Sequence, residues 1–166
     1  VIKSGILSGF LGSWGDAFYG GPYVQKFEKK FAEFIGVKYA IGVNSGTSAL
    51  EIPLRALSLE GKSIIVPTNT FMATPLAVIH AGARVIFVDV SPSDLSIDPI
   101  DLKRKIRNDT AAVILVHIGG IISSRLKEIQ NICKQNGLIL IEDAAHAHGA
   151  SINGEMAGSL GISGAF

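Results

Sequence analysis

The 166-residue chain predicts an α/β fold in three layers, a mostly parallel sheet with helices on both faces. Three observations lead there. Apolar runs bounded by turn residues recur every twenty-odd residues, and segments of helical period fill the intervals between them. The runs are also apolar throughout instead of alternating, as strands covered on both faces require.

The elements follow in chain order. Pro22 opens a helix in which Val24, Phe27, Phe31, Phe34 and Ile35 share one face, and Gly36 closes it. The expected strands are YAIGV (39–43), SIIVP (63–67), RVIFVDV (84–90), AAVILVHI (111–118) and LILIEDA (138–144). Between them, Thr74 and Pro75 are expected to cap LAVIHAG, and Asp98 and Pro99 to cap IDLKRKIR. Ser123 or Ser124 precedes the helical RLKEIQNICKQNG. No internal repeat beyond this alternation, no low-complexity tract and no linker interrupts the pattern.

Composition narrows the classes of function. A chain that is 48% hydrophobic builds a core and is not disordered. Fifteen Lys plus Arg against fourteen Asp plus Glu leave a net charge of +1 without a basic block, which points to small metabolites and away from nucleic acid. Cys133 is the only cysteine, so neither a disulfide framework nor a cysteine-ligated metal site is available, and a reducing cytoplasm is expected. No apolar run approaches the ~20 residues of a membrane span, and the first residues lack the regions of a signal peptide. The sequence starts at Val1 without methionine and stops in mid-pattern at Phe166, so a fragment of a longer chain is expected.

In an open α/β sheet, ligands sit at the carboxyl ends of the strands. There YAIGV is followed by NSGTSAL (44–50), where Ser45, Gly46 and Thr47 offer hydroxyls and close backbone approach at a helix start. That suits a phosphate, since free N–H groups and the helix dipole favour an anion; it equally suits an ordinary Ser/Thr N-cap. SIIVP is followed by TNTFMAT, placing Phe71 where it either stacks on a planar ligand or joins the core. The fifth run delivers Glu142, Asp143 and His146 to the same edge. A carboxylate at the end of a buried strand is costly unless a cation pairs with it. Structural roles stand beside that one: Asp143 as a cap, and His80, His117 and His148 as core histidines. A metal is not expected, because DAAH supplies a single local pair without a second ligand group.

In combination, the blocks GPYVQKFEKKFAEFIGVKYAIGVNSGTSALEIPLRAL, VPTNTFMATPLAVIHAGARVIFVDV, SIDPIDLKRKI, VILVHIGG and LILIEDAAHAHGASINGEMAGSLG resemble, in order, the sugar aminotransferases of the DegT/DnrJ/EryC1/StrS family. The resemblance runs from about Gly20 to Phe166. It implies the large domain of fold type I pyridoxal-phosphate-dependent transferases, incomplete here, over residues 21–166, preceded by an N-terminal segment over 1–20 and lacking a small C-terminal domain. Asp143 would pair with the protonated pyridine nitrogen of pyridoxal 5'-phosphate, preserving the ring as an electron sink. His146 would hydrogen-bond the ring hydroxyl oxygen, Ser45, Gly46 and Thr47 would hold the phosphate, and Phe71 would stack on the ring. The implied acceptor is a nucleotide-linked keto-deoxysugar and the implied amino donor glutamate, in a cytoplasmic homodimer with no nucleic-acid or membrane partner.

Three departures from the family pattern stand out. The Schiff-base lysine is expected after a serine beyond GSLGISGAF, and no lysine follows Lys134, so the fragment alone is expected to be inactive. Pro53 interrupts the helix after SGT, at a cost of about 3 kcal/mol if uncompensated. HIGGIISS replaces the usual aromatic-glycine and acidic pattern after the fourth run. Two further readings stay open: a sugar dehydratase of the same family, in which histidine replaces the lysine, and a non-catalytic cofactor-binding protein.

Overall fold

The structure is a computed structural model and describes residues 20–166. Residues 1–19 of the expected N-terminal segment lie outside the described residues. The chain divides into two compact units, Val1–Gly42 and Val43–Phe166.

In the first unit, helix α1 spans Pro22–Ile35, with Pro22 at its start and Gly36 in the left-handed conformation at its end. On the expected apolar face the Phe27 and Phe31 rings stack at 5.6 Å and Phe31 stands 6.3 Å from Phe34, but of its five residues only Ile35 is buried. The expected strand at 39–43 does not form. An extended run needs a neighbour to take its backbone hydrogen bonds, and none of the described strands pairs with it.

The second unit is built on a parallel sheet. Strands β1 (Ser63–Pro67), β2 (Arg84–Val88), β3 (Thr110–Val116) and β4 (Ile139–Asp143) match four of the expected runs, and β7 (Ser163–Ala165) adds an edge. The order is β2-β1-β3-β4-β7, every pair parallel. A short antiparallel hairpin, β5 (Ser151–Ile152) and β6 (Glu155–Met156), stands apart. The run expected over 84–90 leaves the sheet after Val88, and Val90 instead forms an isolated bridge with Ile97.

Alternate residues of each strand face opposite layers. Ile64, Val66, Ile114 and Ile141 pack with Leu50 and Leu54 of α2 (Gly46–Ala56) and with Ala77 and Val78 of α3 (Ala73–His80). Ile65, Val113, Leu115 and Leu140 pack with Leu102 of α4 (Pro99–Lys105) and with Ile129 and Ile132 of α5 (Leu126–Gln135). The result is the predicted three-layer sandwich. Helix α2 runs through Pro53 unbroken.

Two of the expected caps differ in detail. Asp98 caps α4 as expected, accepting from the Ile100 N–H. Helix α3 begins at Ala73, so Thr74 lies inside its first turn and directs its hydroxyl across the layer instead of capping. Ser123 and Ser124 both donate to Asp94, and α5 starts after Arg125. Among the described residues no helix is long and apolar enough to cross a membrane.

Candidate active site

From β1 the chain crosses by α3 to β2 on one side, then returns over β1 to β3 and on to β4 through α4 and α5 on the other. Such a reversal opens a crevice at the carboxyl ends of the strands. A pocket of about 240 Å³ lies there, lined by residues that include Gly46, Thr47, Phe71, His117, Asp143 and His146. Five of the six residues expected to hold the cofactor therefore surround one space.

Helix α2 starts at the pocket. Ser45 is its N-cap, accepting from the Ser48 N–H at 3.2 Å and donating to Ser48 Oγ at 3.1 Å. The N-cap reading of Ser45 is thus realised, and its hydroxyl is not among the pocket-lining groups. Capping leaves the N–H groups of Gly46 and Thr47 at the first two helical positions without an acceptor within the helix. They stand at the positive end of the helix dipole, beside the pocket.

Phe71 follows β1 and is 74% exposed, which rules out the core alternative for this ring. Asp143 ends β4 on the face that carries Ile141, toward α3, and is 8% exposed. Its Oδ2 accepts from Thr74 Oγ1 at 2.6 Å and its Oδ1 from the Ala145 N–H at 3.3 Å. No cation among the described residues pairs with it. Neutral donors alone leave a buried carboxylate undercompensated, and the pocket is where a cationic group can reach it.

His146 hangs from the turn after β4. Its Nδ1 accepts from the Gly119 N–H at 3.3 Å, so Nε2 carries the ring proton and is a donor. The HIGG departure has a structural use here. Gly119 and Gly120 both take positive φ, 60° and 79°, and a Cβ on Gly120 would sit 3.1 Å from the His146 carbonyl oxygen. Two glycines thus let the turn after β3 close against the His146 turn.

Of the three histidines read as core, only His117 is buried; His80 and His148 are exposed. His80 ends α3 near Glu51, and the His148 ring meets Phe166 edge-on at 5.0 Å. Both sit at element ends, beyond the apolar faces that make the core. Sequence reasoning gave Thr74 only a capping role and passed over Thr70. Their clustering within TNTFMAT at a strand exit was the available signal.

A helix start bearing free amides, an exposed aromatic ring and a buried strand-end carboxylate around one crevice belong to the type I fold of pyridoxal-phosphate-dependent transferases, and the second unit has that α/β architecture. The chain is a member of the DegT/DnrJ/EryC1/StrS aminotransferase family, whose pattern it matches over residues 13–166. It is 39% identical over 142 residues to a GDP-perosamine synthase of Vibrio cholerae, covering 85% of this chain and 38% of that protein. Among solved structures it superposes on an aminotransferase from Psychrobacter cryohalolentis with a TM-score of 0.82 and 34% identity, over 85% of this chain and 36% of that one. An E. coli GDP-4-keto-6-deoxy-D-mannose-3-dehydratase with bound hydrated PLP gives a TM-score of 0.79 at 34% identity, over 86% and 38% of the two chains. The chain thus spans less than two fifths of the length of each of these proteins.

Proposed function

We propose that the whole protein to which this chain belongs is a pyridoxal-phosphate-dependent aminotransferase that passes an amino group from glutamate to a nucleotide-linked keto-deoxysugar, working as a cytoplasmic homodimer. Residues 21–166 are, in this reading, the greater part of its cofactor-binding domain. The observation that carries it is Asp143, a buried carboxylate at a pocket wall with a hydroxyl and an amide as partners and no cation among the described residues. The described residues fit the cofactor: a negative group for its cationic ring nitrogen, two amides at a helix start for its phosphate, and an open aromatic face for its ring.

When bound, pyridoxal phosphate supplies an electron sink for the carbanion of amino transfer. Asp143 holds the proton on the ring nitrogen by offering it a fixed negative partner. His146, with Nε2 as its donor, would hydrogen-bond the ring hydroxyl oxygen. Gly46 and Thr47 bind phosphate through backbone N–H and hydroxyl, in the frame that the Ser45 cap holds rigid. Phe71, exposed at the pocket, would stack on the ring and exclude water from it. The nucleotide-sugar assignment draws on the GDP-perosamine synthase likeness, and the likeness to the dehydratase supports a second reading, loss of water from a similar sugar.

The test uses the full-length protein, titrated with pyridoxal phosphate and followed by the cofactor's absorbance. Wild type is expected to bind, and Asp143→Ala to bind at least tenfold more weakly, the loss of one charge-assisted contact. Equal binding by both proteins would exclude the role given to Asp143. With a nucleotide-linked 4-keto-6-deoxysugar and glutamate, mass spectrometry separates gain of an amino group from loss of water.

A further inference from the structure

Thr74 is completely buried in the first turn of α3. Its Oγ1 lies 2.6 Å from Asp143 Oδ2 and 2.6 Å from Thr70 Oγ1. An ionised carboxylate can only accept, so Thr74 must give its single hydroxyl proton to Asp143. It then has only lone pairs to offer Thr70, which must donate in turn. The direction of the whole chain is therefore fixed: Thr70 donates to Thr74, and Thr74 donates to Asp143. Thr70 itself lines the pocket, so the chain runs from the pocket wall to the buried carboxylate. By contrast, the bond to Asp143 Oδ1 from Ala145 is long, at 3.3 Å. Thr74 is the close partner.

We infer that Thr74 is a positioning residue for the cofactor's ring nitrogen, holding the Asp143 carboxylate aimed at it, with Thr70 reinforcing that bond from the pocket wall. The inference rests on the cofactor reading above. Its physical content is the fixed direction of the carboxylate that faces the ring nitrogen. Donation by Thr74 pins the carboxylate in one orientation, so that its negative charge stays beside the ring nitrogen and favours the protonated ring. Without that donor, the Asp143 carboxylate is free to rotate away from the ring nitrogen. The ring then loses its proton at lower pH and the cofactor binds less tightly. Valine has nearly the shape of threonine but no hydroxyl, so Thr74→Val removes the bond to Asp143 together with the one received from Thr70, whereas Thr70→Val removes only the second.

The experiment uses full-length protein and pyridoxal phosphate labelled with 15N in the ring, measuring affinity and the pH at which the ring nitrogen titrates. Thr74→Val is expected to bind the cofactor about tenfold more weakly, the scale of one hydrogen bond to a charged group, and to titrate at lower pH. Thr74→Ser is expected to restore both. A purely structural threonine would lower the melting temperature without moving the 15N titration. Unchanged affinity and titration in Thr74→Val would overturn the inference. Should Thr74→Val fail to fold, Thr70→Val decides: a smaller change in the same direction supports the chain, because donors in series strengthen one another, and no change overturns it. Asp143→Ala separates the two levels. If it loses affinity while the threonine variants do not, only the Thr74 role falls; if wild type itself does not bind, the cofactor reading falls with it.

Discussion

Glu142 and His117 meet at 2.9 Å between Oε2 and Nε2 with both side chains completely shielded from solvent, one residue from the pocket wall on β4 and at the exit of β3. The carboxylate has further donors. Oε2 also accepts from the Gly158 N–H at 2.7 Å, while Oε1 accepts from Leu160 at 2.6 Å and Gly161 at 2.8 Å. Glu142 therefore resolves its burial within the protein through four donors, whereas its neighbour Asp143 does not. Adjacent residues on a strand face opposite layers, so the two carboxylates have separate surroundings and separate tasks.

Replacing Glu142 by Ala orphans three backbone amides and one imidazole nitrogen at once. The expected loss is about 4 kcal/mol, each abandoned buried donor costing on the order of 1 kcal/mol or more. Glu142→Gln should cost less, because its amide oxygen can still serve Leu160 and Gly161. Urea denaturation midpoints check the order, and an alanine variant within about 1 kcal/mol of wild type would show that water takes over these bonds.

This division of labour was only partly visible in the sequence. Strands β1, β3 and β4 were legible because a strand buried on both faces reads as an unbroken apolar run, and edge strand β2 was legible from its β-branched and aromatic residues although Arg84 and Phe87 are exposed. The same signal misled at Tyr39–Val43, since apolar composition reports a tendency to extend and not the presence of a neighbouring strand. Strand β7 was hidden for the opposite reason: Ser-Gly-Ala has no hydrophobic pattern, and its place depends on close backbone approach. At the site, Gly46, Thr47, Phe71, Asp143 and His146 were legible as pocket residues because each ends or follows a strand or expected strand. Thr74 was not, because a threonine before proline reads as a cap and its partner is 69 residues away.

Asp109 holds the other end of the sheet. Its carboxylate accepts from Ser63 Oγ at 2.6 Å and from Arg84 at 2.6 Å, linking the starts of β1 and β2 to the turn before β3. The Ser63 hydroxyl first, then the Arg84 guanidinium, lower its pKa from 3.8 to about 2. A carboxylate whose folded value is depressed stabilises the fold fully above its unfolded value and loses that contribution as pH falls toward the folded one. The contribution of Asp109 should therefore be intact above about pH 4 and disappear between about pH 4 and pH 2. Carboxyl 13C titration should place its midpoint near 2, and Ser63→Ala should raise it. A midpoint near 4 in wild type would contradict this arrangement.

Gly164 on β7 is the tightest glycine of the sheet. A Cβ there would stand 2.4 Å from Gly158 Cα and 2.7 Å from the Gly158 carbonyl oxygen, both rigid backbone atoms. Gly164→Ala must therefore push β7 away from the loop that Glu142 holds, since neither side has a flexible side chain to yield. The expected loss is about 3 kcal/mol, the upper end of ordinary overpacking. Ser163→Ala, one residue earlier, should stay within about 0.5 kcal/mol. The displacement also reaches the site. Strand β7 pairs with β4 at Asp143 and Ala165, and the Ala144 N–H donates to the Ala165 carbonyl at 2.7 Å. Gly164→Ala in the full-length protein should consequently weaken pyridoxal phosphate binding although residue 164 does not line the pocket. Denaturation midpoints and cofactor titration on the two variants check both effects, and a Gly164→Ala protein as stable as wild type would mean that β7 can leave β4 without cost.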